Sequence, residues 1–430
     1  MIRRFYLSKK QSVTVGIIVL VYLTLALAYG LVLPPFENLD ESEHFEAIRY
    51  VADHGQLPVH GTPAAEIYHY RQEASQPPLY YLLSAGLVRL FGLQADDAAT
   101  VWRPNPWVAC GPGGADLYDN RTTLYHDPHR EAFPWRGTLL MLHVLRMWST
   151  LLQAATVIGT YFLARMAFPQ RSTVGGMAMA VVAFNPQFLL VASGVNNDNL
   201  VTPLVALGLC LLARAWQDGL TTQRAVGLGL LTGLAGLSKL SGWGLLGIAA
   251  LVAGAQAARA RKDAPRILLT ALIIPPVALA VGGWWFWRNW RLYGDPTALQ
   301  PMLEWVGVRG GTVWESFGEA SAMFRSFWGQ LPCAFYPPAF YAFYAALTAL
   351  SVGGLAWGWR RWDAATRGLL LILGGWFLIV TLSWARWNAL TPAPGGRLLF
   401  PALPAVAVLM AAGVARLVGR FRSMAALVIL

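Results

Sequence analysis

The chain has 430 residues, 56% hydrophobic and 13% charged, with a formal net charge of +11. That balance excludes an ordinary soluble domain, because several apolar runs reach the ~20 residues that cross a bilayer. The positive charge does not read as a nucleic-acid footprint: it sits in short clusters between apolar spans, where it sets topology and meets anionic lipid. Three cysteines with no C-x-x-C spacing exclude a zinc site or a disulfide framework. Cys110 and Cys333 are expected on one outer side, as a pair or as two free thiols, and Cys210 sits in a span.

The first run, Val13 to Leu33, has a basic start (Arg3, Arg4, Lys9, Lys10) and an Ala26-Leu27-Ala28 stretch that mimics a cleavable signal. Its length, ahead of many further runs, favours an uncleaved first helix. Further spans are expected near 139–164, 173–192, 200–217, 225–238, 242–258, 267–287, 338–358, 368–385 and 398–415. With the N-terminus cytoplasmic, every inner loop is basic: Arg165 and Arg171, Arg214 and Arg224, Arg259 to Arg266, Arg360 to Arg367, and Arg416 to Arg422. Of the 22 acids only Asp218, Asp263 and Asp363 fall inside. The chain therefore reads as an all-α polytopic membrane protein, one domain over 1–430 with about 10–11 transmembrane helices, in the inner membrane. Met424 onward begins a further span or a stub.

Two large outer regions follow, 34–138 and 288–337. The first opens with PPFENLDESEHFEAIRYVADHG, an acidic helix over 39–54. Asn38 and Glu41 are spaced for a capping box, and Gly55 for the stop. Asp40, Glu41 and His44 share one face. Carboxylates there answer the helix dipole, but the cap employs Glu41 and leaves Asp40 free for chemistry. Residues 77–92 read as an interfacial helix, too short to span comfortably. Asn120-Arg121-Thr122 is an outer glycosylation triplet in a host that uses one.

Polar groups at membrane depth are costly and are read first as functional. Asp198 stands beside Asn196 and Asn197, Lys239 in LSKLSG, Arg288 after the WWFW run, and Arg397 in GGRLLFP, all at expected outer span ends. Lys239 and Arg397 could merely snorkel; facing Asp40, they suit an anionic headgroup held beside a general base. The tryptophans of 284–290 form an interface belt, with sugar stacking the alternative. Asn197 and Asp198 could orient an acceptor. A divalent ion between Asp40 and Asp198 would be Mg or Mn by its oxygen ligands, with His44 either joining it or, as the helical spacing favours, bonded to Glu41 or Asp40 on the helix surface. No G-x-G-x-x-G, Walker or G-x-S-x-G pattern is present, against a nucleotide-sugar enzyme, an ATP-driven pump or an esterase.

PPFENLDESEHF, QPPLYYLL, NPQFLLVASGVNNDNL, LSKLSG, RNWRLYGDP, SFWGQ and GGRLLFPALP, in that order, resemble the C-type (GT-C) membrane glycosyltransferases. That superfamily includes protein mannosyltransferases, the lipid A aminoarabinose transferase and the oligosaccharyltransferase catalytic subunit. The resemblance implies a polyprenyl-phosphate-linked sugar donor and an acceptor glycan, lipid or protein. It implies Asp40, with Glu41 beside it, as the first-loop catalytic acid, and Asp198 as the second outer acid. Lys239, Arg397 and Arg288 are then donor-phosphate contacts, and the expected reaction is inverting transfer at the extracytoplasmic face. SFWGQLPCAFYPP departs from relatives, as does the lack of a sizeable soluble C-terminal domain. A lipid-linked sugar flippase, or a silent subunit of a membrane complex, is the alternative.

Overall fold

The computed structural model describes residues 8–96, 104–106, 108, 122–331 and 334–418. Cys110, Cys333, Asn120, Arg121 and the run from Met424 lie outside the described residues. The architecture is helical throughout; among the described residues the sole sheet is a two-residue hairpin, Gln330–Leu331 against Ala334–Phe335.

The bundle begins with α1 (Lys9–Val32), apolar on all sides and capped at its start by Ser8 and Gln11. The first large loop then carries α2 (Glu41–His54) and α3 (Leu79–Leu90). Next come α4 (Gly137–Ala167), α5 (Ser172–Ala183), α6 (Pro186–Ala192), α7 (Asp198–Asp218) and α8 (Thr222–Ser238). They are followed by α9 (Gly244–Arg259), α10 (Ile274–Tyr293), α11 (Pro338–Gly358), α12 (Ala364–Leu390) and α13 (Leu403–Val418). Seven helices are long and apolar enough to cross a membrane, and α5 with α6, bent by 63°, makes an eighth if counted as one span. The bend falls at Asn185-Pro186, where Asn185 caps α6 and proline starts it.

Two of the ten expected spans fall short of that measure, for different reasons. At 31 residues α4 is long enough, but its buried face carries Arg146, Ser149, Thr150, Gln153, Thr156 and Thr160. With 17 residues, α8 is short and rich in glycine. Both lie inside the bundle, packed on α7, so their polar and small faces meet protein. Close approach is clearest between α11 and α13, where a Cβ on Gly354 or Gly413 would run into the other helix's backbone.

One large core fills the bundle, and a smaller one lies under the first loop. In the second, Phe36, Phe45, Ile48, Tyr70, Tyr80 and Tyr81 pack onto Met141, Leu142 and Leu145 of α4. Burying that apolar area at ~25 cal/mol per Å² holds α2 as a rigid platform instead of a floating loop. Gly55 closes α2 in the left-handed conformation, as its sequence position predicts, and Arg89 of α3 donates to the terminal carbonyl of Ala52 at 2.6 Å.

Candidate active site

The start of α2 differs from the expected capping box. Helix geometry begins at Glu41, and Asp40 occupies the cap position with left-handed backbone (φ 54°, ψ 16°) and no side-chain cap bond. Asn38 instead donates to the Leu190 carbonyl at 2.6 Å, a contact that the missing side chain of Gly194 permits. A left-handed aspartate costs about 1–2 kcal/mol, so surrounding structure must impose it.

Arg146 supplies that structure. Its guanidinium donates to Glu41 at 2.9 and 2.6 Å, to Gly30 and Leu33 carbonyls at 2.8 Å, and to Pro34 at 3.0 Å. Phe36 N–H and Val195 N–H complete the Glu41 carboxylate, each at 3.1 Å. All four acceptor positions of a carboxylate are thereby filled, on a side chain that is 0% exposed. Glu41 faces Arg146 and is not on the Asp40–His44 side. Its place is that of an anchor, joining the end of α1, the start of α2 and the α6–α7 turn. Sequence reading passed over Arg146, although a lone arginine inside an apolar helix was the available signal.

Fixed in this way, Asp40 turns its side chain, 41% exposed, to the guanidinium of Arg397, which also donates to the Leu39 carbonyl at 3.3 Å. Arg397 comes from the 3-10 turn Gly396–Ala402 before α13. A second ion pair stands alongside: Lys239 Nζ to Asp198 Oδ1 at 2.6 Å, with Asp198 1% exposed. Asp198 opens α7, where the helix dipole favours it. Lys239 follows α8 in extended conformation (φ −160°, ψ 142°), which swings its ammonium back toward α7. Asp198 Oδ2 is buried without a partner among the described residues.

The pairs form one electrostatic unit. Arg397 holds the Asp40 carboxyl below the ordinary carboxylate range, against the opposing effect of burial, and Lys239 adds to the lowering. His44 is not bonded to Asp40 or Glu41, as its helical spacing had suggested. Its Nδ1 lies 2.9 Å from Tyr81 Oη and 3.1 Å from Glu73 Oε2. Asn197 donates to Gln76 at 3.2 Å and so ties the α7 turn to the start of α3.

Arg288 stands elsewhere. It donates to the Pro58 carbonyl at 2.7 Å, stacks on Trp285 at 4.8 Å, and lines an open hollow of about 470 Å³ with Gln56, Trp287 and Arg291. It joins the loop after α2 to α10, whereas Lys239 and Arg397 meet the acids. The expected divalent ion would have to compete with cations already paired to both acids. Asp40 and Asp198 each already hold a cationic side chain, and no group of three His, Cys, Asp or Glu among the described residues could hold a metal.

Comparison with known proteins bears on the fold. Residues 140–285 match the dolichyl-phosphate-mannose-protein mannosyltransferase family. The whole fold is similar to ArnT from Cupriavidus metallidurans in the apo state, with a TM-score of 0.59, 16% identity, and coverage of 96% of this chain and 62% of ArnT. The same protein bound to undecaprenyl phosphate gives 0.59, 15% identity, and the same coverage. Archaeal oligosaccharyltransferase AglB from Archaeoglobus fulgidus, in complex with an inhibitory peptide and a dolichol-phosphate, gives 0.52 and 13% identity over 97% of this chain and 51% of AglB. No curated protein matches the chain. The chain shares the fold of ArnT and AglB, which is the fold that the sequence resemblance implied. The chain spans 62% of the length of ArnT.

Proposed function

We propose that the protein is a glycosyltransferase that moves a sugar from a polyprenyl-phosphate donor to an acceptor at the extracytoplasmic face, with inversion. The observation that carries this reading is the half-buried carboxylate of Asp40 against Arg397, with the Lys239–Asp198 pair alongside. ArnT bound to undecaprenyl phosphate and AglB in complex with a dolichol-phosphate support a lipid phosphate as the ligand. The basic loops at the opposite helix ends support the outer placement and a cytoplasmic N-terminus.

In the resting site Arg397 keeps Asp40 ionised, and therefore a weak base. A donor phosphate engaging Arg397 and Lys239 draws the guanidinium away, which strengthens Asp40 when the sugar is in place. The acceptor hydroxyl or amine gives its proton to Asp40 as its oxygen or nitrogen bonds the anomeric carbon. The bond from that carbon to the phosphate oxygen breaks, and polyprenyl phosphate leaves with one more negative charge. Arg397 and Lys239 meet that new charge and so stabilise the transition state more than the ground state. Asp198 Oδ2, without a partner among the described residues, accepts a sugar hydroxyl in this scheme. The acceptor is a glycan, lipid or protein, and the divalent ion has no part in the scheme.

The test is Asp40→Asn in nanodiscs, measuring undecaprenyl phosphate released from undecaprenyl-phosphate sugars with cell-envelope extract as acceptor. Transfer is expected to fall by about 10²-fold or more while undecaprenyl phosphate still binds. Near-full transfer by the variant removes Asp40 from catalysis.

A further inference from the structure

Behind Asp40 lies a three-way contact that the scheme above leaves unused. Glu73, Tyr81 and His44 are 3%, 1% and 3% exposed. Tyr81 Oη donates to Glu73 Oε2 at 2.5 Å, and His44 Nδ1 lies 3.1 Å from that same oxygen and 2.9 Å from the phenol. Glu73 comes from the turn Arg71–Ser75, His44 from α2 and Tyr81 from α3, so three elements bring these groups together.

The proton count in this contact is constrained. Tyr81 has one proton and gives it to Glu73. No cationic side chain pairs with Glu73 among the described residues; Asp40 and Glu43 act on it as like charges, opposed by Lys239 and Arg397. A buried carboxyl with neighbouring acids and no paired cation takes up a proton. Burial accordingly raises Glu73 to about 8, opposed by the Tyr81 hydrogen bond, and burial lowers His44 to about 3. A neutral Glu73 carries a proton 3.1 Å from Nδ1 that it can donate there. The imidazole proton then sits on Nε2, the nitrogen with no hydrogen bond among the described residues. The charges of Asp40, Arg397, Lys239 and Asp198 all act on that ring.

We propose that Glu73 and Tyr81 hold His44 with its proton on Nε2, presenting a neutral N–H donor to the donor lipid's phosphate beside Arg397 and Lys239. Glu73 is thus a positioning residue, and the inference rests on the transferase reading. When Glu73 loses its proton at alkaline pH, the imidazole proton passes from Nε2 to Nδ1 to serve the new carboxylate. Nε2 then accepts where it had donated, and faces the phosphate with a lone pair.

The test uses the full chain in nanodiscs with ¹⁵N-histidine, the His44 signal being the one lost in His44→Gln. At pH 7 the wild type is expected as the Nε2–H tautomer, changing to Nδ1–H as pH passes through about 8. Glu73→Gln, whose amide donates to Nδ1 and accepts from Tyr81, keeps Nε2–H throughout. It also retains transfer within about twofold at pH 7 and loses the alkaline fall, while Glu73→Ala loses about tenfold in kcat. Wild-type Nδ1–H at pH 7, or equal impairment of the Gln and Ala variants, overturns the assignment. The tautomer needs no sugar donor to be read, so this failure is distinct from a wild type that transfers no sugar, which would sink the transferase reading instead.

Discussion

Replacing Glu41 by glutamine tests whether the Arg146 anchor holds the site. The substitution removes the one negative charge facing a guanidinium that is 2% exposed and places an amide NH₂ among N–H groups. Breaking one side of a buried ion pair costs about 3–5 kcal/mol. The Gly30, Leu33 and Pro34 carbonyls still accept from Arg146, which puts Glu41→Gln at the lower end, about 3 kcal/mol. With an unfolding entropy of about 2 cal/mol/K per residue over 430 residues, that is a fall of about 3 °C in Tm. Differential scanning fluorimetry in nanodiscs reads the shift. Glu41→Leu combined with Arg146→Met removes both charges and is expected to recover much of the loss, because an apolar pair of similar volume replaces a buried ion pair well. Transfer should fall in Glu41→Gln although Asp40, Arg397 and Lys239 are intact, since the left-handed cap loses its support. A Glu41→Gln Tm within about 1 °C of wild type, or a double variant less stable than Glu41→Gln, refutes the anchor.

Two further outcomes are expected. Arg288→Ala should leave affinity for undecaprenyl phosphate within about twofold, whereas Lys239→Ala should weaken it about tenfold, the worth of one hydrogen bond to a charged group; microscale thermophoresis distinguishes them, and equal losses would return Arg288 to the donor site. His126 donates from both ring nitrogens, to Glu37 and Glu131 at 3.0 Å each, and burial lowers its pKa less than these bonds raise it. A raised folded pKa means the contribution is complete below about 6.5 and is lost as pH rises through the folded value. The protection factor of the Leu124 amide, which donates to Glu37 at 2.9 Å, should therefore fall on the alkaline side once the intrinsic base-catalysed rate is divided out, and His126→Gln should remove that fall.

The membrane class, the order of the helices and the stop at Gly55 were legible because apolar run length and glycine conformation are local properties. Asp40, Asp198, Lys239 and Arg397 could be singled out for a related reason: each is a charge at the end of an apolar run, where burial makes charge expensive. The span count was less legible. The polar face of α4 and the glycines of α8 are tolerated only because neighbouring helices cover them.

What the tertiary structure alone decided was pairing. The capping pattern set Glu41 apart from Asp40 but named the wrong partner; Arg146, reaching in from α4, takes Glu41 and leaves Asp40 to Arg397. Nothing local separates Arg288 from Arg397, until one meets the Pro58 carbonyl and the other meets Asp40. Glu73 carries no motif at all, and its neutral state follows from which residues surround it and from the absence of a paired cation among those described. Sequence fixes where a charge sits along the chain. The energy of that charge depends on partners far away in sequence, and only the folded bundle assigns them.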